Sequence, residues 1–266
     1  MSLTVTILGC GSSGGVPRVG NDWGHCDPDE PKNRRTRSSI LVEKSGEGGT
    51  TSVLVDTSPD LREQLLRAEV KRLDAVLYTH DHADQTHGID DLRAIAYRMR
   101  GQLPVYMDAH TEAHVVDRFR YCFEKPEGRV HPAILALQPL IAGGHTIHID
   151  GPGGSIRVDV VEASHGPTPT LIFVFDAKLA YGPDVWEISE DGLAALQDLD
   201  VWICDALRYN KHPTHAHVDK ALSWMARTRT RRAILTNLHI DLDYNALASE
   251  LPAIAEPSYD GMELNV

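Results

Sequence analysis

The chain has 266 residues, 42% of them hydrophobic and 24% charged, with a formal net charge of -12 and 14 histidines. That balance excludes disordered, collagenous and disulfide-scaffold classes, and a chain this long builds a sizeable core without staples. The acidity argues against a surface that coats polyanions, so no large nucleic-acid surface is expected.

Elements follow from patterning. Leu3 to Leu8 alternates and stops at Gly9, which reads as a strand entering a glycine-rich turn. Residues 11 to 37 hold too many Gly, Pro and charged residues for regular structure, and a loop this long is functional or disordered. Ser39 to Glu43 and Ser52 to Asp56 form a hairpin across Gly46 to Gly49. Asp60 to Leu66 follows Ser58-Pro59, with Ser58 as the expected cap of a helix. Asp74 to Tyr78 is a strand that delivers the chain into Thr79-His80-Asp81-His82-Ala83-Asp84. Helices are expected near Asp91 to Arg100 and Glu112 to Phe119, with a short strand at Val105 to Met107 between them. In the second half, strands are expected at Ile156 to Val161, Leu171 to Phe175, Lys178 to Tyr181, Val201 to Cys204 and Ala233 to Thr236. Helices fall near Glu190 to Leu196, Val218 to Arg227 and Tyr244 to Leu251. Strand-rich halves with interspersed helices point to two packed sheets with helices on their outer faces, an α/β (α+β) class. No linker and no fixed repeat interrupts the chain, so one domain over residues 1–266 is expected.

Four cysteines (Cys10, Cys26, Cys122, Cys204) are scattered with no CxxC pair, which suits a reducing compartment. The opening MSLTVTILGCGSSGG has no positive n-region, and no window approaches the ~20 apolar residues of a membrane helix. The expectation is a cytoplasmic protein with no membrane partner.

His80, His82 and Asp84 sit at i, i+2 and i+4 just beyond a strand, where a stiff backbone and a turn converge three donors. Imidazole with carboxylate is a ligand set for Zn(II), Mn(II) or Fe(II). The plainer alternative is a polar loop capping the strand end and the next helix. Thr79 to Asp84 resembles the HxHxD signature of the metallo-β-lactamase superfamily. Ser164-His165-Gly166, Ala180 to Asp184, Leu235-Thr236-Asn237, the opening ILGCGSSGG and the closing Tyr259 to Leu264 resemble its further stations in order. The branch it most resembles contains the phosphodiesterase of phosphonate catabolism and, more distantly, ribonuclease Z. This resemblance implies a four-layer αββα sandwich with the metal at one edge between the sheets. It implies a first metal site of His80, His82 and His165 with Asp184 bridging, and a second of Asp84 and Asp184 with two histidines. Here those two positions are Gln85 and Asn237. Amide oxygens are weaker donors suited to harder cations, so one Zn or Mn is expected to bind tightly and the second to be weak or absent. His87 and His239, two residues beyond the gaps, could substitute only by redirecting their side chains.

By the same resemblance His215 matches a histidine that contacts the scissile phosphate and acts as general acid, with His217 a second candidate. The alternative is that one caps the helix start and the other faces solvent. Ser12 and Ser13, in Gly9 to Gly15, could present hydroxyls and backbone N–H groups to phosphate. Arg34, Arg35 and Arg37 form the best local anion clamp, or equally a solvated turn paired with Asp27, Asp29 and Glu30. Asp56 and Asp205, at strand ends, are expected to orient ligand histidines. His25 and Cys26 alone do not make the structural zinc site that the branch can carry. His212 and six other histidines are assigned to surface or packing.

The reading is a metal-dependent hydrolase in which Asp84 positions water and His215 protonates the leaving oxygen. Its substrate class is a phosphodiester of a small nucleotide or a cyclic phosphate, and a homodimer is compatible with the sequence. Hydrolysis of a thioester or lactone, or nucleotide binding with one metal and little turnover, are the alternatives.

Overall fold

The computed structural model describes residues 2–125, 127–128 and 130–266. Among these, the first half runs β1 (Leu3–Gly9), β2 (Ser39–Gly46), β3 (Gly49–Val55), α1 (Leu61–Arg67), β4 (Ala75–Leu77), α2 (Ala83–Thr86), α3 (Arg93–Met99), β5 (Leu103–Tyr106), α4 (Ala109–Phe123) and β6 (Leu135–Leu137). The second runs β7 (Thr146–Ile149), β8 (Ile156–His165), β9 (Thr168–Phe175), β10 (Leu179–Gly182), α5 (Glu190–Ala195), β11 (Val201–Asp205), α6 (Val218–Arg227), β12 (Arg232–Thr236), α7 (Tyr244–Glu250), β13 (Ala255–Pro257) and β14 (Met262–Asn265).

One sheet has the order β14-β1-β2-β3-β4-β5-β6 and the other β13-β12-β11-β10-β9-β8-β7. Each is antiparallel on one side and parallel on the other, the change falling at β3 and at β10. The central strands read as unbroken apolar runs because both faces are covered. Val53 and Val55 face the opposite sheet while Leu54 faces the helices, and Leu171, Phe173 and Phe175 divide in the same way from Ile172 and Val174. The middle layer fills with Ile7, Ile40, Val158, Phe173, Tyr181 and Ile203. Outside it, α1, α3 and α4 cover one sheet through Leu61, Leu65, Ile95 and Val115, and α5, α6 and α7 cover the other through Leu193, Ala221, Trp224 and Leu247. This is the αββα sandwich.

The short edge strands β6, β7, β13 and β14 have too few residues to show a period, and sequence patterning passed over them. At α1 the expected cap is corrected: Asp60 occupies the N-cap position, while Ser58 accepts from the Asp60 N–H at 3.2 Å. The segment expected as a helix from Asp91 begins instead as a 3-10 turn, Ile89–Leu92, before α3.

Residues 11–37 are held by contacts distant in sequence. Ser12 N donates to Leu238 O, Leu238 N to Cys10 O, and the Asp260 carboxylate accepts from the N–H of Cys10 and from the N–H and hydroxyl of Thr36. Asp56, His80, Asp184, Asp205 and Asn237 all lie at or just beyond the carboxyl ends of β3, β4, β10, β11 and β12, so the parallel halves of both sheets open onto one edge. No helix among the described residues is long and apolar enough to cross a membrane.

Candidate metal centre and catalytic cleft

Beyond β4 the chain turns into α2, with His82 at the N-cap position and Asp84 in the first turn. The two-residue connection from β8 to β9 brings in His165. Gly166 takes a φ of +66° there, and a Cβ on it would meet the Thr214 side chain at 2.5 Å, so the turn packs directly on the loop before α6. The rings of His80, His82 and His165 meet edge to face, with centroids 4.6, 5.2 and 4.9 Å apart.

Hydrogen bonds fix which nitrogens carry protons. The Thr79 hydroxyl donates to Asp56 at 2.9 Å, so its oxygen accepts from His80 Nδ1 at 3.0 Å. His80 Nε2 is thereby left as a buried lone pair with no partner. His165 Nδ1 lies 2.7 Å from the Thr214 carbonyl, which can only accept, so its Nε2 is also a lone pair. Burial, followed by the neighbouring imidazoles, lowers His80 well below the ordinary value and carries His165 down to about 4. Both rings are neutral at pH 7, the state a metal needs.

The other side of the centre is built from carboxylates and amides. Asp184, buried beyond β10, has Oδ1 4.0 Å from His165 Nε2. Gln85 Nε2 donates to its Oδ2 at 3.1 Å, and Asn237 Nδ2 donates to its Oδ1 at 3.3 Å and to Asp205 at 3.2 Å. With their NH2 groups committed, Gln85 Oε1 and Asn237 Oδ1 are buried without partners. Burial pushes Asp184 well above the usual carboxylate range, with Asp84 and Asp205 adding to it against the pull of His215. A cation at this spot relieves that repulsion. The orphaned His80 Nε2 and the His80–His82–His165 cluster, with Asp184 beside it, fit a divalent metal ion.

Asp205 ends β11 and accepts from Val185 N at 3.0 Å and from His215 Nδ1 at 2.9 Å. Burial pulls His215 down, but the Asp205 and Asp184 charges outweigh it and hold the imidazole up to about 9. His215 thus lines the cleft as a cation whose Nδ1 is engaged, leaving Nε2–H to donate. The cleft has a volume of about 410 Å³; beside Asp84, Asp184 and the histidines, its wall carries Ser12, Ser13, Arg18, Arg208 and Leu207. Arg208 is braced by the carbonyls of Asn210 and Lys211 at 3.2 and 3.0 Å. The Arg18 guanidinium bonds His239 Nε2, and His239 Nδ1 lies 3.0 Å from Asp241. Thr214 N donates to His212 Nδ1 at 3.3 Å, which leaves the His212 Nε2–H for the cleft.

Residues 51–240 match the model of the beta-lactamase superfamily domain. The chain belongs to the metallo-β-lactamase superfamily. It is similar over its whole length to a crystal structure described as a new diphosphatase from the PhnP family, at 31% identity, TM-score 0.88 and 98% coverage of that chain. Zn(2+)-bound PqqB from Methylobacterium extorquens (20% identity, TM-score 0.76, covering 99% of this chain and 100% of that one) and the short form of human tRNase Z (16%, TM-score 0.66, 98% of each) share the fold. In sequence the chain is 30% identical over 262 residues to an octanoyltransferase from Porphyromonas gingivalis (strain ATCC BAA-308 / W83). That match takes in 97% of this chain, which spans about half the length of that relative.

Measured against the superfamily motif, His80, His82, His165, Asp84 and Asp184 come together at the sheet edge, and Gln85 and Asn237 sit against Asp184 where histidines were expected. Neither neighbouring histidine fills in. His87 packs on Phe119 with ring centroids 5.3 Å apart, and His239 is engaged by Arg18 and Asp241. Several expectations are corrected. Arg35 is 2% exposed and donates to Asn33 and the His239 carbonyl; Arg37 pairs with Asp60 at 2.9 Å; Arg34 lies over the Trp23 ring. None of the three lines the cleft, because the loop uses them to hold itself, and Arg18 and Arg208 stand there instead. His217 takes the N-cap position of α6, outside the cleft lining, while His212, assigned to surface or packing, lines it. The sign available in the sequence was spacing, since His212 begins the run that ends in His215 and His217. Asp56 reaches His80 only through Thr79, and Asp205 orients His215 rather than one of the three clustered histidines. The Cys26 thiol is buried beside Val16 and Ile240, with the Ile240 and Leu242 carbonyls both 3.4 Å away as acceptors for its single S–H.

Proposed function

We propose that this superfamily hydrolase cleaves a phosphodiester in a small phosphorylated molecule, a nucleotide or cyclic phosphate being the expected form. The observation that carries the reading is the Asp205–His215 pair, a charged imidazole aimed into a cleft that is lined by two arginines and lies against the His80–His82–His165 cluster. His80, His82 and His165, with Asp184, would hold one Zn or Mn ion; a second cation at Asp84 and Asp184 would be weak, because both Asp184 oxygens already accept amide protons. When bound, a divalent ion supplies Lewis acidity toward a phosphoryl oxygen and acidifies water.

The protein's own groups do the rest. Asp84 orients the attacking water and accepts its proton. Arg18, Arg208 and the hydroxyls of Ser12 and Ser13 hold non-bridging oxygens, since guanidinium forks match phosphate. His215 gives its Nε2 proton to the leaving oxygen, and Asp205 compensates the imidazolium before the transfer and fixes the ring throughout. The similarity to a diphosphatase supports a substrate with more than one phosphoryl group, which the two arginines of the cleft would accommodate. Turnover of bis-p-nitrophenyl phosphate with added Mn(II), lost in His215→Ala at unchanged metal content, tests this.

The octanoyltransferase match favours a second reading, hydrolysis of an acyl thioester or ester. A covalent acyl route needs a hydroxyl, thiol or amine nucleophile, activated by an adjacent base. Among the described residues, the cleft lining includes no cysteine or lysine, all four cysteines are buried, and the lining hydroxyls of Ser12 and Ser13 make no hydrogen bond to an imidazole that would activate them. Direct acyl hydrolysis would therefore be the form to test, with an octanoyl thioester. If that ester turns over and the phosphodiester does not, the second reading replaces the first. Tight nucleotide binding without hydrolysis under any metal would mark a binding protein.

A further inference from the structure

Asp81 lies in sequence between His80 and His82, yet its carboxylate is directed to α4 on the outside of the loop. That helix starts with Asp108 accepting from Thr111 N at 2.7 Å, and it carries His110 and His114 at i and i+4, on one face in successive turns. Their rings lie 4.4 Å apart. His110 Nε2 is 3.6 Å from Asp81 Oδ1, and His114 Nδ1 is 3.8 Å from Asp81 Oδ2. The Asp81 side chain is 8% exposed, whereas the two imidazoles are 43% and 46% exposed.

We infer that Asp81, His110 and His114 form a separate, exchangeable site for a borderline divalent cation such as Zn(II), Co(II) or Ni(II). Donors around a tetrahedral ion at ~2.1 Å stand roughly 3.4 Å apart, so the observed separations close by small side-chain rotations. Two imidazoles with one carboxylate select these metals over Mg(II) and Ca(II), which require mainly oxygen. Arg118, one turn further along α4, donates to Asp81 Oδ2 at 2.8 Å and to its backbone carbonyl. It therefore orients the carboxylate and leaves Oδ1 for the ion, while competing with the ion for the negative charge. His114 Nδ1 also lies 2.8 Å from the His110 carbonyl, so this ring exchanges a local bond, or turns to offer Nε2, when metal enters. Three protein donors leave room for water, which makes the site an open one.

The test is calorimetric titration of the protein, preloaded with one equivalent of metal, against Zn(II). The wild type is expected to take up a further equivalent that His110→Ala with His114→Ala does not, and Zn(II) should raise the melting temperature of the preloaded wild type only. Arg118→Gln should tighten the further equivalent, because its competitor for Asp81 is gone. Equal uptake and equal melting shifts in wild type and double variant would overturn the inference. The double variant is made on an exposed helix face; should it melt early, His110→Gln alone repeats the comparison. Uptake lost in His82→Ala reports on the central cluster instead, so the two sites fail separately.

Discussion

The two sides of the cleft floor lie within 4.0 Å of each other, His165 Nε2 to Asp184 Oδ1, and present opposite faces to a cation. On the imidazole side, Thr79 and the Thr214 carbonyl take up the Nδ1 protons, so Nε2 lone pairs are left over. On the amide side, the NH2 groups of Gln85 and Asn237 donate to both oxygens of Asp184. One side is prepared to receive positive charge; the other already has partial positive charge in place. Gln85 and Asn237 keep Asp184 fixed by hydrogen bonds, and the proposal of a single tightly held ion rests on these donors standing in for a second cation.

The sharpest way to break that comparison is on the imidazole side. His82→Ala should lower metal affinity by more than ~100-fold, seen as loss of metal from protein purified without chelator. Unchanged content would show that the ion is held elsewhere. Next in size, His215→Gln should lower kcat by ~10²–10⁴ while metal content stays, separating proton donation from metal binding. The double change Gln85→His with Asn237→His should turn the amide side into an imidazole side, tightening a second cation at least ~10-fold by titration. A wild type that already binds two equivalents tightly would erase the distinction.

Smaller effects test the rim. Arg208→Gln should raise KM about 10-fold for a phosphodiester, the loss of one charged hydrogen bond, with kcat little changed. The pH profile gives the last. His215 donates only while protonated, so turnover should hold below its pKa of about 9 and fall as pH rises through it. Asp205→Asn removes a charge that raises this pKa, so the alkaline fall should move down by about one pH unit.

The fold was legible where strands are buried on both faces, because Val53 to Val55 and Leu171 to Phe175 have to be apolar throughout. It was not legible at β6, β7 and β13, three or four residues each, where pairing rather than pattern makes the strand. His80, His82 and Asp84 could be read because they alternate just beyond a strand end, and His165 and Asp184 through the resemblance to the superfamily's motifs. Arg18 and Arg208 could not, since each stands in irregular chain and reaches the cleft through tertiary packing. Arg34 to Arg37 misled for the converse reason: local charge density does not reveal that Arg35 is buried.

The loop carrying Ser12, Ser13 and Arg18 is synthesised well before the segments that fix it. Its partners are Leu238, His239 and Asp260, so a nascent chain can pair β1 with β2 and close the β2–β3 hairpin long before the cleft wall has anything to rest on. Hydrolytic competence therefore arrives only after residues 237–260 have emerged, and a truncated product would keep most of the histidine cluster but lack the wall that confines a substrate against it.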